Sequence, residues 1–140
     1  MDKQYYSWTC SVCSVTWTLN AMGIMETREN VGLIMGYPDC VNETYGSMSA
    51  QCIIDTYKAY GFVAKQAWVT YDQAYSIAGK YTGCINPIGM QHYMAIRGQN
   101  NPNIWVANSA PGYRGIYNDL DRDNFNALSP VQVIYLESRY

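Results

Sequence analysis

The chain is poor in charge and in histidine. Of its 140 residues, 14% are charged, with 9 Lys+Arg against 11 Asp+Glu, a net charge of −2 and a single histidine, His92. A balance so close to neutral has no electrostatic footprint for nucleic acid. It offers no polybasic patch for anionic lipid either. One imidazole rules out a His-rich metal centre, and any reaction that needs imidazole must use His92. No apolar run approaches the roughly 18 residues that span a bilayer. The N-terminus, Met1-Asp2-Lys3-Gln4-Tyr5-Tyr6, lacks the apolar core of a signal peptide. A cytoplasmic protein, a phage protein exported by other means, or a domain of a longer chain or assembly is the expectation. Five cysteines are too few for a disulfide-built miniprotein, and their number is odd. With 49% hydrophobic residues, the chain is expected to fold as one domain over residues 1–140.

The first half reads as helical. From Cys10, the residues Val12, Val15, Leu19 and Met22 recur at helical spacing and share one face. Gly23 ends that helix. Thr27 is placed to cap a short helix carrying Val31, Ile34 and Met35. Gly36, Pro38 and Asp39 mark a loop. Ser47 or Ser49 can cap a third helix, whose buried stripe is Cys52, Ile53, Thr56, Tyr57 and Tyr60, with Gly61 at its end.

The second half changes period. Phe62 to Val69 reads as a short strand or extended link. Thr70 and Gln73 resemble a capping box ahead of a helix with Ala74, Ile77, Ala78 and Tyr81 inward. Strand-like runs follow at Cys84–Ile88, His92–Arg97, Ile104–Asn108, Gly115–Tyr117 and Val131–Leu136. Turns are expected at Gly98–Pro102, Pro111–Gly112 and Ser129–Pro130. Helices first and an antiparallel sheet afterwards is an α+β pattern.

Cys10 stands at the start of the first predicted helix, where unpaired N–H groups and the helix dipole favour a thiolate. Such a cysteine is a nucleophile if an imidazole reaches it. His92 opens one predicted strand and Asn108 ends the next, so a hairpin can bring the Asn amide beside the ring and orient it. Gln4, six residues before Cys10, can donate to a developing oxyanion together with the Cys10 N–H.

A Gln six residues ahead of a helix-opening Cys resembles the papain-like cysteine peptidases. Within them the chain is most similar to the C39-type peptidases, the group that includes bacteriocin-leader peptidases. The family pattern of His, aromatic and aliphatic residues is present as His92-Tyr93-Met94-Ala95-Ile96. The strand Trp105-Val106-Ala107-Asn108 stands where the family's next strand ends in Asp-Pro. Ala59-Tyr60-Gly61-Phe62 and the stretch with Leu120, Asp121, Asn124 and Phe125 are also similar to the family. The resemblance implies a papain-like fold with N-terminal helices packed on a C-terminal antiparallel sheet. It implies Cys10 as nucleophile, His92 as general base and acid, Asn108 as the residue that orients His92, and Gln4 in the oxyanion hole. No cofactor and no metal enter such a reaction. Three positions depart from the pattern: Asn108 for the usual Asp, Ser11 for the usual Gly, and a Gln4 close to the first residue.

The substrate implied is a peptide leader or a peptidoglycan cross-link, the latter in a phage lysin or virion-associated peptidase. Two other functions compete. One is a C39-like module that binds a peptide without turning it over. The other is a redox or metal protein built on the Cys10-x-x-Cys13 pair. Cys13 is expected to pack in the core. Cys40 and Cys52 can pair in an oxidising place, although buried thiols are the preferred reading. Asp119, Asp121, Asp123 and Glu137 read as solvated turn and surface groups. Tyr5, Tyr6, Trp8 and Tyr113 are candidates to line a cleft, and Asn42-Glu43-Thr44 matches a glycosylation sequon.

Overall fold

The computed structural model describes residues 10–35, 50–87, 93–108 and 117–139, with backbone alone at 10, 11, 117, 118 and 139. Three helices come first: α1 (Cys10–Ala21), α2 (Arg28–Ile34) and α3 (Ala50–Ala59). Strand β1 (Phe62–Val69) and helix α4 (Tyr71–Ala78) follow, then β2 (Gly83–Pro87), β3 (Met94–Asn100), β4 (Asn103–Ala107) and β5 (Tyr117–Leu120). Helix α5 (Arg122–Ala127) and strand β6 (Val131–Arg139) complete the described chain. The six strands form one antiparallel sheet in the order β1-β6-β2-β3-β4-β5. The architecture is α+β, as the sequence pattern leads one to expect.

Strand alternation sends the two sheet faces into two cores. Cys84, Tyr93, Ile134 and Leu136 pack with Val12, Val15 and Leu19 of α1, Val31 of α2, and Ile53 and Tyr57 of α3. Ile85, Met94, Ile96, Val106 and Val133 face the other way, against Tyr71, Ala74 and Ala78 of α4 and Phe125 of α5. The local signals that start and stop the helices are in place. Thr27 caps α2 through Asn30 N, and Thr70 with Gln73 closes a full capping box on α4. Gly23, at φ +86°, lets the chain leave α1 in a left-handed turn that an L side chain disfavours. Ile24 N then donates to Leu19 O at 2.9 Å.

Several expectations are corrected. Met22 lies beyond the end of α1 and is 40% exposed, so the buried stripe stops at Leu19. Ile34 is also exposed, because the short α2 buries Val31 and Met35, one turn apart, instead. Gly98, Gln99 and Asn100 belong to β3 and not to a turn: a register shift between Ile96 and Gly98 lets the strand continue, and the reversal falls at Asn101-Pro102. Strand β6 runs on to Arg139, since it pairs with the whole of β1. Strand β5 runs on past Tyr117 to Leu120, paired with β4. Helix α5 was not anticipated. Asp121 is its N-cap, accepting from Asn124 N at 2.7 Å, and not a solvated turn group. Its dock on α4 is Arg122, which reaches Asp72 at 2.7 Å and lies 4.6 Å from the centre of the Tyr71 ring.

The cysteines divide. Cys13 and Cys84 are buried thiols outside any disulfide. Cys52 is disulfide-bonded, which overturns the buried-thiol reading for that residue. Gly36–Ser49, the sequon at Asn42 and the aromatic residues Tyr5, Tyr6, Trp8 and Tyr113 lie outside the described residues. Among the described residues no helix is long and apolar enough to cross a membrane.

Candidate active site

Cys10 is the first residue of α1, so it sits among backbone N–H groups with no partner inside the helix. One turn along, the buried Ser14 hydroxyl donates to the backbone carbonyl of Tyr93 at 3.0 Å. One turn further, the Thr18 hydroxyl reaches Gly83 O at 3.3 Å as well as Ser14 O at 2.8 Å. These bonds set the helix along the sheet. Thr18 lies at the start of β2, and Ser14 lies at the entry to β3. His92 immediately precedes Tyr93 in the chain and, like Gln4, lies outside the described residues.

Asn108 follows the last residue of β4 and is fully buried. The β3–β4 hairpin pairs Ala95 with Ala107, so Asn108 is one residue beyond that pair, at the end of the hairpin where β3 begins. The structure thus brings the backbone of Asn108 and the Ser14 turn of α1 to the same end of β3. Of the four site residues read from the sequence, Cys10 and Asn108 have described positions and Gln4 and His92 do not.

Behind this corner runs a string of polar side chains that the sequence reading missed. Gln132 on β6 donates through Nε2 to the Tyr93 hydroxyl at 3.1 Å. Gln66 on β1 donates in turn to Gln132 Oε1 at 2.7 Å. Tyr93 is 1% exposed and Gln132 is 7% exposed, so the bond between them is made where water is scarce and an unmade bond is costly, whereas Gln66 is exposed. The signal was present in the sequence. Gln132 stands at an inward position of an alternating apolar strand, where a polar residue requires a partner. Asn86, the cross-strand partner of Gln132, is also buried, and its Oδ1 has no hydrogen-bond partner among the described residues.

The remaining thiols lie elsewhere in the fold. Cys84 Sγ is 3.2 Å from the Tyr57 hydroxyl, and burial, with Cys84 beside it, holds the Tyr57 phenol well above its ordinary range. Neither group is placed to exchange protons with solvent. An open groove of about 510 Å³ lies between β1 and α4, lined by Trp68, Val69, Asp72 and Ile77 among others. None of the candidate residues lines it.

Two solved structures match the chain along nearly its whole length. One is a double-glycine-motif protease from an AMS/PCAT transporter in complex with the leader peptide. It superposes with a TM-score of 0.72 at 14% identity, over 97% of this chain and 89% of that one. The other is the peptidase domain of Streptococcus ComA, a bifunctional ABC transporter of a quorum-sensing pathway. It gives a TM-score of 0.73 at 11% identity, over 99% and 97% of the two chains. At these identities the likeness establishes the fold, which is the papain-like, C39-type fold of those peptidase domains. No protein-family model matches the chain, and no curated protein matches it in sequence.

Proposed function

We propose, from a C39-type fold with Cys10 at the head of its first helix, that the protein is a cysteine peptidase acting on a peptide. Cys10 is the nucleophile and His92 the general base and acid. Asn108 orients His92, and Gln4 with the Cys10 N–H stabilises the oxyanion. The observation that carries this reading is the Ser14–Tyr93 hydrogen bond. It joins the helix that Cys10 opens to the residue directly after His92, so the nucleophile's helix is tied to the chain next to the base. The burial of Asn108 at the end of the neighbouring strand supports its part.

In the reaction, His92 takes the proton from the Cys10 thiol, and the thiolate attacks the scissile carbonyl carbon. The carbonyl electron pair moves to oxygen, where Gln4 and the Cys10 N–H donate to it. The pair returns, the C–N bond breaks, and His92 gives its proton to the leaving amine. A water then loses a proton to His92 and attacks the thioester. The C–S bond breaks, and the cysteine and the acid product are released.

A peptide is the substrate that the structural neighbours favour, since one of them was solved with a leader peptide bound. Both are transporter peptidases, which lends no support to a phage lysin or to peptidoglycan. The same likeness supports a place for this chain within a longer polypeptide.

The test is alkylation by iodoacetamide from pH 5 to 9, with the adduct located by mass spectrometry, alongside turnover of an internally quenched peptide library. Cys10 should label far below the pH at which a free thiol does, and this advantage should vanish in His92→Ala. Library cleavage should fall by roughly 10²–10⁴-fold in His92→Ala and be abolished in Cys10→Ala. Slow labelling of Cys10 that is indifferent to His92 would defeat the proposal. Peptide binding with no cleavage would leave the fold as a binding module.

A further inference from the structure

We infer that Ser14 and Gln132 are positioning residues that hold the chain entering β3 against the nucleophile helix, acting through Tyr93. This deepens the Cys–His reading and rests on it. A thiolate–imidazole pair works only within hydrogen-bond reach, and a supporting shell must hold it to about 0.5 Å. Cys10 opens α1 and His92 precedes Tyr93 by one residue in the chain, so the contact between α1 and the chain entering β3 bears on their relative placement. Apolar packing at that contact opposes separation but tolerates sliding. A hydrogen bond is directional and opposes sliding as well.

Ser14 supplies that bond. It stands four residues after Cys10 on the helix, and i and i+4 share a face. Its hydroxyl has a local alternative, the carbonyl four residues back, which helical Ser and Thr commonly use. The neighbouring Thr16 does so, donating to Val12 O at 2.7 Å. Ser14 instead donates across the core to Tyr93 O at 3.0 Å, a contact between residues 79 apart in sequence. The other end of Tyr93 is held too. Its hydroxyl accepts from Gln132, and Gln132 accepts from Gln66. In the sheet order β2 lies between β3 and β6, so the Tyr93–Gln132 bond spans a strand and ties the entry to β3 to β6. Main chain and side chain of the residue after His92 are thereby pinned from two directions, by groups that are themselves buried.

A merely structural role predicts lost stability and an unchanged reaction centre. A positioning role predicts a change in how the thiolate depends on pH. The experiment compares Cys10 alkylation from pH 5 to 9.5 in wild type, His92→Ala, Ser14→Ala, Ser14→Thr and Tyr93→Phe, with folding checked by near-UV circular dichroism. In Ser14→Ala the rate at pH 6 should fall about tenfold, one unit of thiol pKa. The rate at pH 9.5, where the thiolate forms unaided, should stay within about twofold. Ser14→Thr keeps the hydroxyl and should restore the profile. Tyr93→Phe frees Gln132 and should shift the profile in the same direction, and it serves as the reading if Ser14→Ala does not fold. Profiles of Ser14→Ala and Tyr93→Phe that superimpose on wild type would overturn the inference while leaving the Cys–His reading intact. A wild-type profile identical to that of His92→Ala would mean that the Cys–His reading itself had failed, and the inference with it.

Discussion

Gly83 lies so close to Ile134 that a Cβ on the glycine would stand 2.1 Å from the Ile134 carbonyl oxygen. The same Cβ would be 2.7 Å from the Tyr135 Cα. Both obstacles are backbone atoms of β6, the strand paired with β2, and they cannot swing aside as a flexible side chain can. Gly83 O also accepts from Thr18 of the nucleophile helix. Gly83→Ala should therefore push β2 from β6 and lower stability by about 1–3 kcal/mol. Urea unfolding checks this. An unchanged midpoint would show that the strands part at no cost.

The Cys52 disulfide bears on the active site directly. A nucleophilic Cys10 must be a free thiol, so the bridge is expected to be Cys40–Cys52. Peptide mapping under non-reducing conditions should find that pair, with Cys10 alkylated. Closing so short a loop should contribute about 2–4 kcal/mol, measurable as a lower denaturant midpoint after reduction. A Cys10–Cys52 peptide would remove the nucleophile from the oxidised protein.

Tyr60 and Glu26 predict the alkaline limit of stability. The Tyr60 hydroxyl donates to Glu26 Oε2 at 3.0 Å. Burial first, and then the Glu26 carboxylate, push its pKa up to about 12. Between the ordinary tyrosine value of about 10 and that raised value, the unfolded chain has lost a proton that the folded chain keeps. Stability must fall as pH rises through this window. Tyr60→Phe should flatten the fall, read as thermal midpoint against pH from 9 to 12.

Asn86 should be replaceable at a gain. Its buried Oδ1 has no partner among the described residues, and an unsatisfied buried polar group costs about 1–3 kcal/mol. Asn86→Leu keeps a similar volume and should raise the thermal midpoint. A fall would mean that the amide is satisfied in solution.

Asn108→Ala should lower kcat/KM on a cleaved peptide by roughly 10²-fold, the cost of a small misplacement at a reacting group. Asn108→Asp should retain more activity than Asn108→Ala, because a carboxylate can also hold the far ring nitrogen of His92. Equal activity of wild type and Asn108→Ala would remove Asn108 from the site.

The helices were legible because each carries its own local instructions. Cys10 to Leu19 repeats at helical spacing, Thr27 and Thr70 cap, and Gly23 and Gly61 stop. Helix α5 escaped because six residues burying only Phe125 leave too short a pattern to register a period. The true limits of β3 escaped for another reason. Gly98-Gln99-Asn100 has turn composition, and only pairing with β4 across a register shift makes it strand. The exposure of Met22 and Ile34 was illegible too, since periodicity says which residues share a face and not where the partner surface ends.

The candidate site divides the same way. Sequence by itself determined which groups are available: one imidazole, one cysteine at a helix start, an Asn closing a strand, and too little charge to steer a charged partner. These follow from composition and local spacing, which are properties of neighbouring residues. Only the tertiary structure decided what joins them. The Ser14 hydroxyl bonding to Tyr93 and the Gln132 amide reaching across β2 link residues distant along the chain, and Cys52 takes up a disulfide that its local sequence does not announce. Such contacts exist only after the sheet has set its strand order and the helices have packed on it, because no local preference carries information about a partner dozens of residues away.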